Sequence, residues 1–326
     1  MTIRQLSRAR AVVVVVAAGM TLAACGGSDG GGENAGGGGG EALSGPVVID
    51  GSSTVEPLSS AAAELFMGEN PEVNVTVGTS GTGGGFEKFC AGETDISDAS
   101  RPIKDEETKQ CQDAGVEFSE LQVANDALTV VVNKENDWVD CLTVEQLKKM
   151  WAPDSKVKSW KEIDPSFPDE ELSLYGPGSD SGTFDYFTDE INGEEGASRT
   201  DYEPSEDDNV IVQGVANAKG ALGYFGFSYF EENADKLRAV EIDGGSGCVA
   251  PSVEAAQDGS YTPLARPLFI YLSDAGLAKT QVERFAEFYL ENNDEIVEAV
   301  KFVPMTDDQR SKAQAALEDL KSKAGQ

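Results

Sequence analysis

Val47-Val48-Ile49-Asp50-Gly51-Ser52-Ser53-Thr54-Val55-Glu56-Pro57-Leu58 contains the plan on which the body of the chain is built. Val47, Val48 and Ile49 read as a strand, and Gly51 to Thr54 as a small, hydroxyl-rich turn. Pro57 suits the first turn of a helix, where Leu58, Ala62, Leu65 and Phe66 recur at helical spacing. The order returns twice. Val73-Asn74-Val75-Thr76-Val77 alternates as a strand, runs into a loop over Gly78–Gly85, and meets a helix around Phe86-Glu87-Lys88-Phe89. Leu172-Ser173-Leu174-Tyr175 runs into Gly176–Thr183 and a helix over Phe184–Ile191. Strands alternating with helices in this way predict an α/β fold.

Each of these junctions makes the same physical object. The first turn of a helix leaves backbone N–H groups unpaired and carries the positive end of the helix dipole. Glycines let the backbone come close, and hydroxyls add donors, so each loop can hold an anion. Ordinary N-capping by Ser or Thr explains any one of them as well. Three in one chain favour convergence on a ligand. None is a nucleotide motif: Gly78–Gly85 has no P-loop lysine, and Gly176–Thr183 lacks GxGxxG spacing.

Upstream, Arg4, Arg8 and Arg10 precede an apolar run from Ala11 to Leu22, with no acidic residue before Cys25. A basic end, a short apolar stretch and small residues before the cut predict a signal peptide over residues 1–24. The run is shorter than the roughly 20 residues a spanning helix needs. Leu22-Ala23-Ala24-Cys25 resembles a bacterial lipobox, which implies acylation, such as palmitoylation, of Cys25. With the rest of residues 25–45, dominated by glycine, it predicts a flexible tether roughly 25 Å long. The expected location is the outer face of the cytoplasmic membrane, through that lipid.

The formal charge of -33 argues against nucleic acid and against adsorption to anionic lipid. The chain has no histidine, which excludes Ser-His-Asp and Cys-His nucleophilic machinery and HExxH metal sites. Four cysteines follow Cys25: Cys90, Cys111, Cys141 and Cys248. In an exported chain an even count favours disulfides, and three pairings are open. No CxxC pair supports zinc; no metal and no cofactor are expected.

Gly51-Ser52-Ser53-Thr54-Val55, Thr79-Ser80-Gly81-Thr82-Gly83-Gly84-Gly85, Asp95-Ile96-Ser97-Asp98-Ala99-Ser100-Arg101-Pro102-Ile103 and Ser179-Asp180-Ser181-Gly182-Thr183-Phe184 occur in an order that resembles the phosphate-binding lipoproteins of the phosphate-specific (Pst) ABC transporter. Gly220-Ala221-Leu222-Gly223-Tyr224-Phe225 is similar too. The resemblance implies a type II periplasmic-binding-protein fold of two α/β lobes with a hinge of two crossover strands. It places lobe one at 46–123 plus 272–326 and lobe two at 124–271, including the return crossover. Under that division Cys90–Cys111 and Cys141–Cys248 each stay within one lobe, and this pairing is expected.

The resemblance also implies the site. Ser53, Thr54, Val55 and Ser80 would cradle an oxyanion from lobe one, and Ser181, Gly182 and Thr183 would meet it from lobe two. Ser100 would add a hydroxyl and Arg101 a guanidinium fork suited to phosphate. Many relatives have an arginine just before the Ser-Gly-Thr loop. Here Gly176-Pro177-Gly178-Ser179 stands instead, which puts the charge on Arg101. A carboxylate accepting the proton that phosphate retains would reject sulfate; the candidates are Asp98, Asp180, Asp208 and Glu56, with Asp208 also readable as a helix cap.

The expected protein is thus a monomeric, non-catalytic receptor that captures inorganic phosphate and docks on the permease of an ABC importer. Another oxyanion, sulfate or molybdate, is the alternative ligand. An exported hydrolase is the alternative class, since Ser155-Lys156-Val157-Lys158 fits S-x-x-K, but no KTG follows.

Overall fold

A computed structural model describes residues 42–179 and 181–324. The predicted leader, the Cys25 anchor, the tether up to residue 41 and Asp180 lie outside the described residues.

Strands and helices alternate at first: β1 (Gly45–Gly51), α1 (Glu56–Glu69), β2 (Val73–Gly78), α2 (Gly81–Cys90), β3 (Ile96–Ala99) and α3 (Asp105–Ala114). The long strand β4 (Phe118–Asn133) leads to β5 (Cys141–Thr143), α4 (Val144–Trp151), α5 (Trp160–Ile163), β6 (Ser173–Gly176) and α6 (Gly182–Asn192). Then come β7 (Glu203–Pro204), α7 (Asp208–Asn217), β8 (Ala221–Gly226), α8 (Phe227–Glu232), β9 (Leu237–Ala239), β10 (Glu241–Asp243), β11 (Cys248–Val249) and α9 (Val253–Asp258). After β12 (Ala265–Ser273) the chain ends in helices: α10 (Asp274–Leu277), α11 (Thr280–Glu291), α12 (Asn293–Ala299) and α13 (Asp307–Ala324).

One sheet runs in the order β2-β1-β3-β12-β4-β8-β6-β7, with β9 beside β4, and β11-β10-β5 form a smaller sheet. β1 is parallel to β2 and β3, whereas β12 is antiparallel to both β3 and β4. β4 therefore serves two groups of strands. Its first part pairs with β12, up to Ala127↔Ala265, and from Leu128 onward it pairs with β8. The apolar side chains divide at the same place. One core gathers Val47, Ile49, Leu58, Phe66 and Tyr289 with β4 up to Ala124 and β12 from Leu268. The other gathers Trp151, Trp160, Phe187 and Tyr224 with β4 from Leu128 and the chain up to Leu264. A sheet shared by two cores and bridged by two long strands is the two-lobed α/β architecture expected. Strands buried on both faces read as continuous apolar runs, and the second half of β4 does so.

Local differences from expectation have clear causes. α2 starts at Gly81, so most of the glycine run is helix rather than loop. Packing requires the last of these glycines: a Cβ at Gly85 would come within 2.6 Å of the Gly51 Cα. α6 likewise starts at Gly182, inside the stretch expected as loop. β1 takes in Gly45, which pairs with Val73, and Leu43 packs on the first core, so the body reaches back into the expected tether. At α7 the capping residue is Asp207, whose carboxylate accepts from the Asn209 N–H at 2.9 Å, and Asp208 is the first helical residue.

Cys90 bonds to Cys111, tying α2 to α3, and Cys141 bonds to Cys248, tying β5 to β11 across the small sheet. Each bridge lies within one of the two bodies. Replacing Cys90 and Cys111 together with serine should lower the unfolding free energy by about 3 kcal/mol through denatured-state entropy. Urea unfolding of the oxidised chain and the double variant checks this; equal midpoints would contradict it.

Candidate anion-binding cleft between the lobes

A cleft of about 420 Å³ opens where the β1–α1 loop, the start of α2, the β3–α3 segment and α6 converge. Five predicted residues line it: Ser53, Thr54, Ser80, Ser100 and Arg101. The Ser-Gly-Thr segment lies against the opposite loop, since the Thr54 hydroxyl is 3.5 Å from the Gly182 carbonyl oxygen to which it donates. Thr183 faces a smaller neighbouring cavity of about 100 Å³ with Asp126 and Asp208. Val55 points its side chain into the first core.

The three loops differ in how they use their N–H groups. In the first, Ser52 takes the local donors: its hydroxyl accepts from the Thr54 N–H at 3.2 Å, and its carbonyl accepts from the Val55 and Glu56 N–H groups. In the third, the Ser181 hydroxyl caps α6 by accepting from the Thr183 N–H at 3.2 Å. The middle loop is different, because no side chain caps α2. Gly81, Thr82 and Gly83, its first turn, line the cleft with N–H groups that helical geometry leaves unpaired. Ser80 is fixed from behind. Its N–H donates to an Asp50 Oδ1 at 3.1 Å, its hydroxyl donates to the same oxygen, and Lys88 holds the other Asp50 oxygen at 2.6 Å. Ser100 bonds to the Thr82 hydroxyl through its N–H at 3.2 Å and its Oγ at 3.1 Å.

The charged groups are where the structure adds most. Arg101 lines the cleft, but its fork is taken by Glu107, with Nη1 and Nη2 donating to the two carboxylate oxygens at 2.8 and 2.7 Å. A second arginine, Arg266 at the start of β12, also lines the cleft, as does Lys104. Arg266 gave no sequence signal: it stands alone in a strand, 212 positions from the Thr54 it touches.

Four carboxylates line the α6 side: Asp185, Asp189, Glu190 and Glu195. Desolvation raises Asp185, Glu190 and Glu195 above the usual carboxylate range; neighbouring Asp189 raises Glu190 further, and Asp185 and Asp189 do so for Glu195. The i, i+4 spacing of Asp185 and Asp189, just after the Gly-Thr turn, was the signal available for them. Of the carboxylates singled out from the sequence, Asp98, Asp208 and Glu56 lie elsewhere, and Asp180 is outside the described residues. Asp98 is buried beneath the first loop, where its Oδ1 accepts from Ser59 at 2.8 Å. Asp208 sits in the small cavity, and burial with Asp207 beside it pushes it up to about 6. Glu56 accepts from Ser60 one turn along α1. The S-x-x-K pair is structural: the Ser155 hydroxyl donates to the Lys149 carbonyl at 2.7 Å, and Lys158 pairs with Asp201 at 2.5 Å. Among the described residues no cluster of three His, Cys, Asp or Glu could hold a metal ion.

Two lobes on a shared sheet, with an uncapped helix start and a ring of hydroxyls between them, define a periplasmic-binding-protein-like receptor domain. The chain belongs to the PBP superfamily, whose domain model matches residues 36–293. It is 50% identical over 262 residues to Protein SphX of Synechococcus elongatus, spanning 79% of this chain and 77% of that one. It is 42% identical over 278 residues to the phosphate-binding protein PstS of Staphylococcus saprophyticus, spanning 85% of each. It is also similar to the crystal structure of a possible phosphate binding protein from Planctomyces limnophilus, with a TM-score of 0.83, 48% identity and coverage of 85% of this chain and 99% of that one.

Proposed function

We propose that this chain captures inorganic phosphate between its lobes outside the cytoplasm and hands it to the permease of an ABC importer, without catalysing a reaction. The observation that supports this best is the uncapped first turn of α2, set among the Ser53, Thr54, Ser80 and Ser100 hydroxyls and two arginines. Such a site offers an oxyanion many short donors and the positive end of a helix. The names of the PstS relative and the Planctomyces structure point to the same ligand.

In this reading lobe one is 46–123 plus 272–326 and lobe two 124–271, with β4 and β12 as the crossovers. Ser53, Thr54, Ser80 and Ser100 serve the ligand from lobe one, with Arg101 beside them in the cleft, and the Ser181-Gly182-Thr183 turn meets them from lobe two through the Gly182 contact with Thr54. A ligand that touches both lobes stabilises the closed state. The protein works as a monomer held by lipid at Cys25, so that it can reorient over the permease. The acidic α6 wall repels a fully ionised dianion and accepts the proton that phosphate keeps. Of its members, Asp185 is placed closest to the donors, since the Ser53 hydroxyl lies 3.4 Å from its Oδ2.

Calorimetry of the mature domain with phosphate, arsenate, sulfate and molybdate from about pH 5 to 8 tests the reading, because phosphate loses its second proton in that window. Micromolar or tighter phosphate binding with no sulfate heat is expected. Silence toward every oxyanion, or turnover of a generic phosphoester, would overturn it.

A further inference from the structure

We propose that Arg266, rather than Arg101, supplies the guanidinium that carries the charge of the bound anion; this rests on the phosphate reading above. The two arginines line the same cleft but are held in opposite ways. Arg101 gives its planar fork to Glu107 in a two-point pair, and its Nη1 also donates to the Pro102 carbonyl at 3.1 Å. That pairing is the geometry by which an arginine grips a phosphate, so the fork is already spent. Glu107 also accepts from the Lys104 N–H at 2.8 Å, which fixes it as part of the α3 cap.

Arg266 is held by its edge and its face instead. Its Nε donates to Asp126 Oδ2 at 3.3 Å, one Nη2 hydrogen goes to the Thr54 hydroxyl at 2.9 Å, and the guanidinium carbon sits 3.4 Å from the centre of the Tyr186 ring. A guanidinium carries five N–H donors. The remaining three, both on Nη1 and one on Nη2, have no hydrogen-bond partner among the described residues, and they belong to a side chain that lines the cleft. Stacking and the Asp126 contact therefore position the group without consuming its fork.

Its place in the fold adds a second reason. Arg266 and Asp126 are register partners on β12 and β4, between the last residues of one core and the first of the other. From there the side chain reaches Thr54 on the lobe-one loop and Tyr186 on α6 of lobe two. Burial pushes the Asp126 carboxyl up and the neighbouring guanidinium pulls it back, while Asp185, Glu190 and Glu195 also feel the Arg266 charge across the cleft. A charge at the crossover meets the anion from either lobe and keeps its position as the lobes move about it.

The test is phosphate calorimetry on the mature domain and its variants at fixed salt. Arg266→Gln is expected to weaken binding by about 100-fold or more, and Arg101→Gln by less than about 10-fold. Arg266→Lys should recover part of the loss, since it keeps the charge but neither the stack nor the fork. Removing Arg266 alone strands the buried Asp126, so Arg266→Gln/Asp126→Asn is compared with Asp126→Asn alone. That comparison should show the same large loss in a chain with no unpaired carboxylate. An Arg266→Gln affinity within about threefold of wild type, or a larger loss from Arg101→Gln, overturns the assignment while leaving the phosphate reading intact. No phosphate heat from the wild-type chain overturns both.

Discussion

Gly51→Ala is expected to lower the unfolding free energy by roughly 4 kcal/mol and to abolish tight phosphate binding. Gly51 ends β1 with φ +150°, outside the range that residues with a Cβ adopt comfortably. A Cβ there would stand 2.1 Å from the Asp98 carbonyl oxygen and 2.8 Å from the Asp98 nitrogen. Both are backbone atoms of β3, so no side chain can swing away to make room. β1 and β3 must separate, and the Ser52 N–H bond to the Asp98 carbonyl, 2.9 Å long, goes with them. The anion loop begins at that bond, so stability and affinity fall together. Gly92→Ala separates strain from collision: Gly92 has φ +73° but nothing within 4 Å of an added Cβ. Its cost should be about 1 kcal/mol, with binding unchanged. Urea unfolding and phosphate titration of both variants check this; equal losses from the two would contradict the packing argument.

Asp98→Asn should do the reverse and stabilise the protein at pH 8, by up to about 5 kcal/mol. Desolvation dominates at Asp98 and pushes its carboxyl up to about 8; the charges of Glu56 and Asp50 add to the rise, while the Ser59 hydroxyl opposes it. Oδ2 has no hydrogen-bond partner among the described residues. The folded chain therefore holds a proton that the unfolded chain gives up near pH 3.8. Stability from this group is complete below about pH 4 and declines as pH rises toward 8. The amide is neutral throughout, so the variant's advantage should be absent at pH 4 and grow across that window. Denaturant midpoints at pH 4, 6 and 8 decide it, and a difference that does not change with pH would sink the idea. The neutral carboxyl has a functional side as well. Asp98 lies beneath the loop that starts at Ser52, and an ionised group there would oppose an anion bound above it.

Much of this was legible in the chain order. The strand–loop–helix junctions needed only period-2 and period-3.6 patterning with glycines between, and β1–α1, β2–α2 and β6–α6 stand where that patterning puts them. Helix boundaries were less legible at Gly81 and Gly182. Glycine-rich sequence usually marks a turn, whereas here Gly85 inside α2 lies against Gly51 and Gly182 at the start of α6 lies against Thr54, both closer than a Cβ allows. Ser53, Thr54 and Ser80 were legible because they sit at those junctions, whereas Ser100, after β3, was implied only by the family resemblance.

The charges were not. Arg101 looked decisive beside Pro102, yet Glu107, one turn into the next helix, has taken its fork. Arg266 looked like any strand residue until β12 folded back beside β4 and set it between Thr54, Asp126 and Tyr186. The sequence by itself determined the α/β class, the repeated anion-loop chemistry and the absence of histidine-based catalysis, since these follow from local propensity and composition. Only the tertiary structure decided which carboxylates face the cleft and which are buried beneath it, and which guanidinium keeps its donors free. Those depend on tertiary contacts, such as Arg266 with Asp126 and Thr54 from distant strands and loops, which local pattern does not encode.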